Sequence, residues 1–195
     1  MVTPGEYKLR FVQAGLDQLE SYLLSSELFQ PLGITAPAGR TPYPQLTLGN
    51  LLLAEKKSLA ATIKTPLYEQ VKLCSQSICI IKEKWLAHWR QKSYRELNSR
   101  LQLWKEFLDA YLDDASNNYD RYKFEVSRRV LITILAGETD LILSEQKQLV
   151  ITLDTILRSH FEHGIFIWEE VFHKAFPEAI YWFLYGKLPK NNRLS

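Results

Sequence analysis

LYEQVKLCSQSICIIKEKWLAHWRQKSYRELNSRLQLWKEFLDAYLDD, residues 67 to 114, is the stretch that decides the fold. Its 48 residues include neither glycine nor proline, and they are rich in strong helix formers such as Leu, Ala, Lys, Glu, Gln and Arg. As one helix they would extend ~72 Å, whereas the usual helix has only ~10–14 residues. A rod of that length needs neighbours along it. The stretch therefore predicts an all-α multi-helix bundle around a long central helix.

The apolar stripe along this stretch changes its course in the middle. Both ends follow a heptad rhythm of alternating steps of four and three, first from Leu67 to Trp85 and then from Leu97 to Tyr111. Between them the pattern advances only in steps of four, through Trp89 and Ser93. Each such step turns the apolar face by about 40°, so the seam moves around the helix. We expect a kink, a break or a change of packing neighbours near Ser93.

Two features organise the chain before the rod. Apolar residues at intervals of three and four predict a first helix from Pro4 to Leu24. The following segment, residues 31 to 49, contains four prolines and three glycines, a density that predicts a non-helical excursion. Thr47 is a plausible N-cap for a short apolar helix, which Pro66 separates from the rod.

Further helices are predicted after the rod. Asn117 and Asn118 indicate a turn, and helices are expected to follow from Tyr122 and from Ser144. Pro177 is well placed as the first residue of a final short helix. Three glycines are expected to close or interrupt helices: Gly137 in a left-handed cap, Gly164, and Gly186 just past the last helix. Strands are not expected, apart from a short hairpin that the Pro-rich excursion could contain.

Composition places the chain among ordinary globular proteins. It has 195 residues, a hydrophobic share of 46% and a formal charge of +2, so we expect one domain spanning residues 1–195 and no global attraction to nucleic acid or anionic lipid. Cys74 and Cys79 point about 140° apart on a helix, which prevents both from binding one metal. Neither a signal peptide nor a transmembrane segment is predicted, so a soluble, cytoplasmic protein is expected.

The sharpest metal candidate is the pair Glu170 and His173. A Glu-x-x-His motif aims two ligands at one point in the core of a di-iron helical bundle. Such a site needs a second copy of the motif and further carboxylates, which the sequence does not supply. The motif therefore supports only a second alternative function, a helical-bundle metalloprotein, and no cofactor is predicted.

A basic and aromatic stretch, residues 82–105, offers a different function. It has seven Lys and Arg against two acids, with tryptophan and tyrosine interleaved, a combination that suits single-stranded nucleic acid. The next fifteen residues have five acids and no Lys or Arg, which an extended nucleic-acid track would not tolerate. The first alternative is thus a small helical nucleic-acid-binding subunit, with these candidate residues: Lys84, Trp89, Arg90, Lys92, Tyr94, Arg95 and Arg100.

Catalytic and nucleotide-binding motifs are not found in the sequence. It contains no dinucleotide fingerprint, phosphate loop, nucleophile elbow or His-Glu-x-x-His motif. The leading hypothesis is therefore a non-enzymatic protein–protein interaction module or complex subunit, which binds a protein partner or a second copy of itself. Its contact surface would be the excursion from Pro31 to Pro44 or the rod with its two oppositely charged parts.

Overall fold

The protein is mostly helical, as the sequence predicts. A computed structural model describes residues 2–139 and 144–191, and these include eight α-helices and one small β-hairpin. Two compact units divide the chain, Met1–Glu96 and Leu97–Ser195. The expectation of one domain spanning the whole chain stays a prediction.

In the first unit, α1 (Pro4–Leu24) and α2 (Leu48–Thr62) pack against each other as an antiparallel pair. Thr3 and Thr47 cap them, each accepting a backbone N–H through its side-chain oxygen, at 3.2 Å and 3.1 Å. The first helix is confirmed at both ends, and Thr47 is confirmed as an N-cap. Gly15 allows the close approach, because a Cβ there would lie 2.9 Å from a methyl carbon of Leu51.

The Pro-rich excursion is held against α1. Gln30 and Leu46 exchange two backbone hydrogen bonds, of 3.1 Å and 2.7 Å, which close the base of the loop as an isolated antiparallel bridge. Tyr7 donates its hydroxyl to the carbonyl of Thr41, and Gln18 donates to the carbonyl of Leu32. The segment is non-helical up to Thr47, so the predicted range of 31–49 is two residues too long.

The long stretch is two helices, α3 (Tyr68–Lys84) and α4 (Leu86–Asp113). They are interrupted at Trp85, whose backbone leaves helical geometry at φ −118° and ψ 33°. The indole N–H of Trp85 donates to Glu20 on α1, at 3.0 Å. Of the three outcomes expected near Ser93, a break there is wrong, because α4 continues through this fully buried residue and the interruption lies eight residues earlier. A change of packing neighbours fits better, since the division between the two units falls just after Glu96. The helix is interrupted instead at Trp85, the residue that donates a hydrogen bond to Glu20 on α1.

The second unit holds the remainder of α4 and four further helices. They are α5 (Ala115–Asn118), α6 (Tyr122–Ala136), α7 (Ser144–His160) and α8 (Glu178–Tyr181). The predicted turn at Asn117 and Asn118 is a single helical turn, because Asp114 accepts the backbone N–H of Asn117 and starts it. The prediction of a left-handed cap at Gly137 is wrong. Its φ is −75°, and its N–H closes a tight turn on the carbonyl of Ile134.

A β-hairpin near the end of the second unit corrects the expectation that strands are absent. Strands β1 (Glu162–Phe166) and β2 (Tyr185–Lys187) pair antiparallel, with Glu162 opposite Lys187 and a bulge between His163 and Phe166. Gly186 lies in β2 rather than just past a helix. Its φ is +153°, and a Cβ there would lie 2.2 Å from the carbonyl oxygen of Glu162, so only glycine fits.

Pro177 precedes α8 as its N-cap, one position earlier than predicted. The core of this unit is aromatic around Trp104, Phe107 and Tyr122. Arg129 holds Asp154 through two hydrogen bonds, of 2.7 Å and 2.8 Å, and its guanidinium lies 4.7 Å from the centre of the Phe183 ring. Because both charges are paired and the fork is bidentate, this polar pair is tolerated beside the core.

Candidate interaction site

Three of the basic candidates, Lys84, Lys92 and Arg95, contact α1 or the residues that follow it. Lys84 lies 2.8 Å from a carboxylate oxygen of Glu20. Arg95 donates to the carbonyl of Ser26 at 3.0 Å, just past the end of α1. Lys84 thus neutralises an acid, and Arg95 satisfies one carbonyl group just past the C-terminus of α1, where a cation is favourable.

Lys92 is the most deeply placed of these bases, since only 3% of it is exposed. Its ammonium donates to the carbonyl of Glu27 and to the hydroxyl of Ser25, and it lies 4.3 Å from the centre of the Tyr22 ring. Burial lowers the pKa of Lys92, the nearby Arg95 lowers it further, and Glu27 opposes the shift. The position serves the internal structure.

The remaining nucleic-acid candidates differ in exposure. Trp89 is fully buried, so its ring would have to leave the core before a base could stack on it. Tyr94 is half-buried and Arg90 exposed, while Arg100, also half-buried, belongs to the second unit. Binding of nucleic acid by residues 82–105 stays a prediction. A shift assay with single-stranded RNA at rising salt tests it, because phosphate contacts weaken steeply as salt increases.

Glu96 is a fully buried acid that the sequence patterns did not distinguish. One carboxylate oxygen accepts the hydroxyl of Thr47 at 2.6 Å, and the other accepts the backbone N–H of Gly49 at 2.8 Å. Both donors belong to the start of α2, where the helix dipole favours a negative charge. Glu96 therefore fastens α4 to the N-terminus of α2 inside the first unit.

The metal candidates lie on a 3₁₀ turn, Glu170–Ala175. Nδ1 of His173 lies 3.5 Å from a carboxylate oxygen of Glu170, and the imidazole ring contacts the rings of Phe166 and Tyr185, which also contact each other. Among residues 2–139 and 144–191, no group of three or more His, Cys, Asp or Glu side chains could hold a metal ion. The metal site stays a prediction.

The second face of α3 carries the clearest surface feature of the first unit. Val71, Cys74 and Ile78 form the buried row of this helix. Leu73 and Ile80, two turns apart, point about 140° away from that row. They are 62% and 65% exposed. Both large apolar side chains are thus exposed to solvent on the same side of α3.

We call this surface the outer face of α3. Leu73 and Ile80 form its centre. One side consists of Gln70, Ser77 and Lys84, and the other of Glu69, Gln76 and Glu83, all six of them exposed. An apolar centre between two polar borders is also how the core and rim of protein–protein interfaces are arranged. The charges at the two ends of α3 stabilise the helix itself, since Glu69 lies in its first turn and two lysines lie in its last turn.

No protein-family model, curated protein or solved structure matches the chain. Function therefore has to be inferred from the surface and the chemistry of its residues. In the part of the chain that the structure describes, no helix has both the length and the apolar character needed to cross a membrane.

Leu73 and Ile80 were missed because the sequence patterns were read for the core. The heptad row from Leu67 to Trp85 accounts for the buried side of α3 and leaves these two residues unassigned. The signal was nevertheless present: two large apolar residues stand seven apart, off the main seam and among polar neighbours. A second row with the helical period on one helix predicts a second contact surface.

Proposed function

We propose that the chain is a non-enzymatic protein–protein interaction module, or a subunit of a complex, whose contact surface is the outer face of α3. The observation that carries the proposal is the exposure of Leu73 and Ile80 on one face of a helix whose opposite face is buried. Full burial of such a side chain is worth ~1.5–3 kcal/mol, so completing it here would contribute roughly 1–2 kcal/mol for each residue.

The surroundings of the two residues support specificity as well as affinity. Acids and bases both border the apolar centre, so a partner must match charge as well as shape. The Pro31 to Pro44 segment, by contrast, is bound to α1, because Tyr7 and Gln18 donate hydrogen bonds to its backbone carbonyls. Its use as a contact surface stays a prediction.

The compartment we propose is the cytoplasm. Cys79, which is exposed on α3, and the buried Cys74 are both free thiols. Reduced thiols persist in the cytoplasm, whereas oxidising compartments favour disulfides.

Site-specific photo-crosslinking in cells tests the proposal. A photoreactive amino acid replaces Ile80 in one variant and Gln13, an exposed polar position on α1, in the matched control. We expect a discrete protein adduct from position 80 and none from position 13. If position 80 gives no adduct, or if both positions give the same one, the outer face of α3 is not the contact surface.

A further inference from the structure

We propose that a cleft on the β-hairpin of the second unit binds an extended polypeptide segment of another protein, in which apolar and basic residues alternate. The cleft has a volume of about 460 Å³ and is lined by residues of both strands and by Ile167, which follows β1. Ligand sites usually measure ~300–1,000 Å³, so there is room for a short length of extended chain. Nothing in this site depends on the outer face of α3, because its residues all lie in the second unit.

Gly164, which lines the cleft, is a glycine that the fold does not require. Its φ is not in the left-handed region, unlike that of Gly186 on the facing strand. A Cβ at position 164 would lie 3.8 Å from Gly186 Cα, which is an ordinary van der Waals contact. Glycine weakens a strand, and it often marks a position where a ligand or another backbone approaches closely. Close approach of a second chain accounts for glycine at this position.

The backbone around Gly164 offers hydrogen-bonding groups to that second chain. β1 pairs with β2 at His163 and at Phe166. Gly164 and Ile165 stand between these two residues in a bulge, and a bulge leaves its extra residues without a partner in the ladder. Both residues are exposed. An extended peptide presents alternating N–H and C=O groups, which is how a peptide adds to the edge of a strand.

Ile165 supplies an apolar contact beside this backbone. It is 85% exposed, more than either Leu73 or Ile80 on α3. Ile167, two residues further along the chain, also lines the cleft. An apolar side chain of the bound segment would remove part of this surface from water, which is favourable. The bound segment is therefore expected to carry a large aliphatic residue.

The charged groups at the cleft favour a basic segment. Glu162 lies 3.5 Å from Lys187 on the facing strand, and both side chains remain more than half exposed. Nε2 of His163 lies 2.6 Å from a carboxylate oxygen of Glu178, the first residue of α8. Two carboxylates thus stand against one lysine, a balance that attracts lysine or arginine and repels the phosphates of a nucleic acid.

NMR titration of the ¹⁵N-labelled full chain with a short peptide tests the proposal. The probe is the acetylated and amidated pentapeptide Val-Lys-Leu-Lys-Val, in which apolar and basic side chains alternate along an extended chain. We expect saturable shifts of the amide signals of Gly164, Ile165 and Gly186. The dissociation constant should be ~0.1–1 mM, because so short a segment buries little surface. Absence of saturable shifts at these three signals would overturn the proposal.

Altered peptides test how the segment is recognised, and they require no change in the protein. The acidic counterpart Val-Glu-Leu-Glu-Val should bind several-fold more weakly, and the difference should shrink at high salt. Methylation of the two lysine backbone nitrogens blocks one edge of the extended peptide, and methylation of the valine and leucine nitrogens blocks the other. One of these two peptides should lose binding while the other keeps it. Equal binding by both would show that no strand pairing occurs and would contradict the proposal.

Gly164→Val is the matching change in the protein. Its side chain would occupy the position at which the second chain approaches, so the probe should bind several-fold more weakly while the hairpin amides keep their hydrogen-exchange protection. Thr155→Val is the control, since it introduces the same side chain at an exposed position of α7 that does not line the cleft. Its affinity for the probe should be unchanged. Undiminished binding by Gly164→Val with an intact hairpin would count against the cleft as the binding site.

Discussion

Individual charged residues stabilise this protein from positions that the sequence does not distinguish. Lys92 and Glu96 are four residues apart on α4, and both are buried. A charge in such a position is stable only when its hydrogen bonds are supplied. The acid binds the start of α2 and the base binds the segment after α1, so one stretch of α4 secures two other elements of the first unit.

We predict that Glu96→Ala destabilises the protein by about 2–4 kcal/mol, because it removes two charge-assisted hydrogen bonds and leaves buried donors without an acceptor. Urea unfolding followed by circular dichroism measures the change. Glu69→Ala is the control at an exposed acid, with an expected effect within ~0.5 kcal/mol. Similar small losses for both variants would show that Glu96 does not fasten α2.

Tyr122 gives the protein a specific sensitivity to alkaline pH. Burial raises its pKa well above the ordinary value of 10.0, although Arg129 acts in the opposite direction. The folded state therefore keeps the phenol proton while the unfolded state releases it above about pH 10. Stability contributed by this group is present below pH 10 and is lost as the pH rises further.

We predict that Tyr122→Phe makes the fall in unfolding free energy above pH 10 less steep. At neutral pH the same variant should lose about 1 kcal/mol, since the hydroxyl no longer donates to the carbonyl of Phe183, 2.6 Å away. Denaturant titrations from pH 7 to pH 11 give both quantities. Tyr119→Phe, at a half-buried position, serves as control, and an identical slope in the two variants would contradict the assignment.

Elements with a local signal could be predicted well from the sequence, and those decided by distant contacts could not. The helix from Pro4 to Leu24 was found because the apolar period that predicts it lies within its own residues. The break at Trp85 accompanies a bond to Glu20, 65 positions away, and no local pattern reports such a bond. The hairpin was missed because β1 has five residues, four of them exposed, and thus no alternating pattern.

We predict that Gly186→Ala disrupts the hairpin and destabilises the protein by more than ~2 kcal/mol. The new Cβ would collide with backbone, and the residue would keep a φ that L side chains rarely adopt. Gly164→Ala is the matched control on the facing strand, where the nearest atom is Gly186 Cα at 3.8 Å and the effect should stay below ~1 kcal/mol. Equal hydrogen-exchange protection of the hairpin in both variants would contradict this explanation.

At the scale of the molecule, each unit buries a core of apolar side chains, and some large apolar residues remain exposed on several elements. The bundle class followed from the long helix-compatible stretch, whereas the candidate site did not, because an apolar residue off the main seam is assigned to core or surface only once the packing is known. In the first unit, the outer face of α3 combines two large exposed apolar residues with a neighbouring ion pair between Glu69 and Lys72.

The most direct test compares stability and association in one variant, Leu73→Asp with Ile80→Asp. Because both side chains point into solvent, the account predicts an unfolding free energy within ~1 kcal/mol of the unchanged protein. It also predicts that a photoreactive group at Gln76 crosslinks to another protein when Leu73 and Ile80 are unchanged, and that this crosslink is lost in the variant. A loss of several kcal/mol in unfolding free energy would show that these residues stabilise the fold. A crosslink of undiminished yield would show that they do not contact a partner.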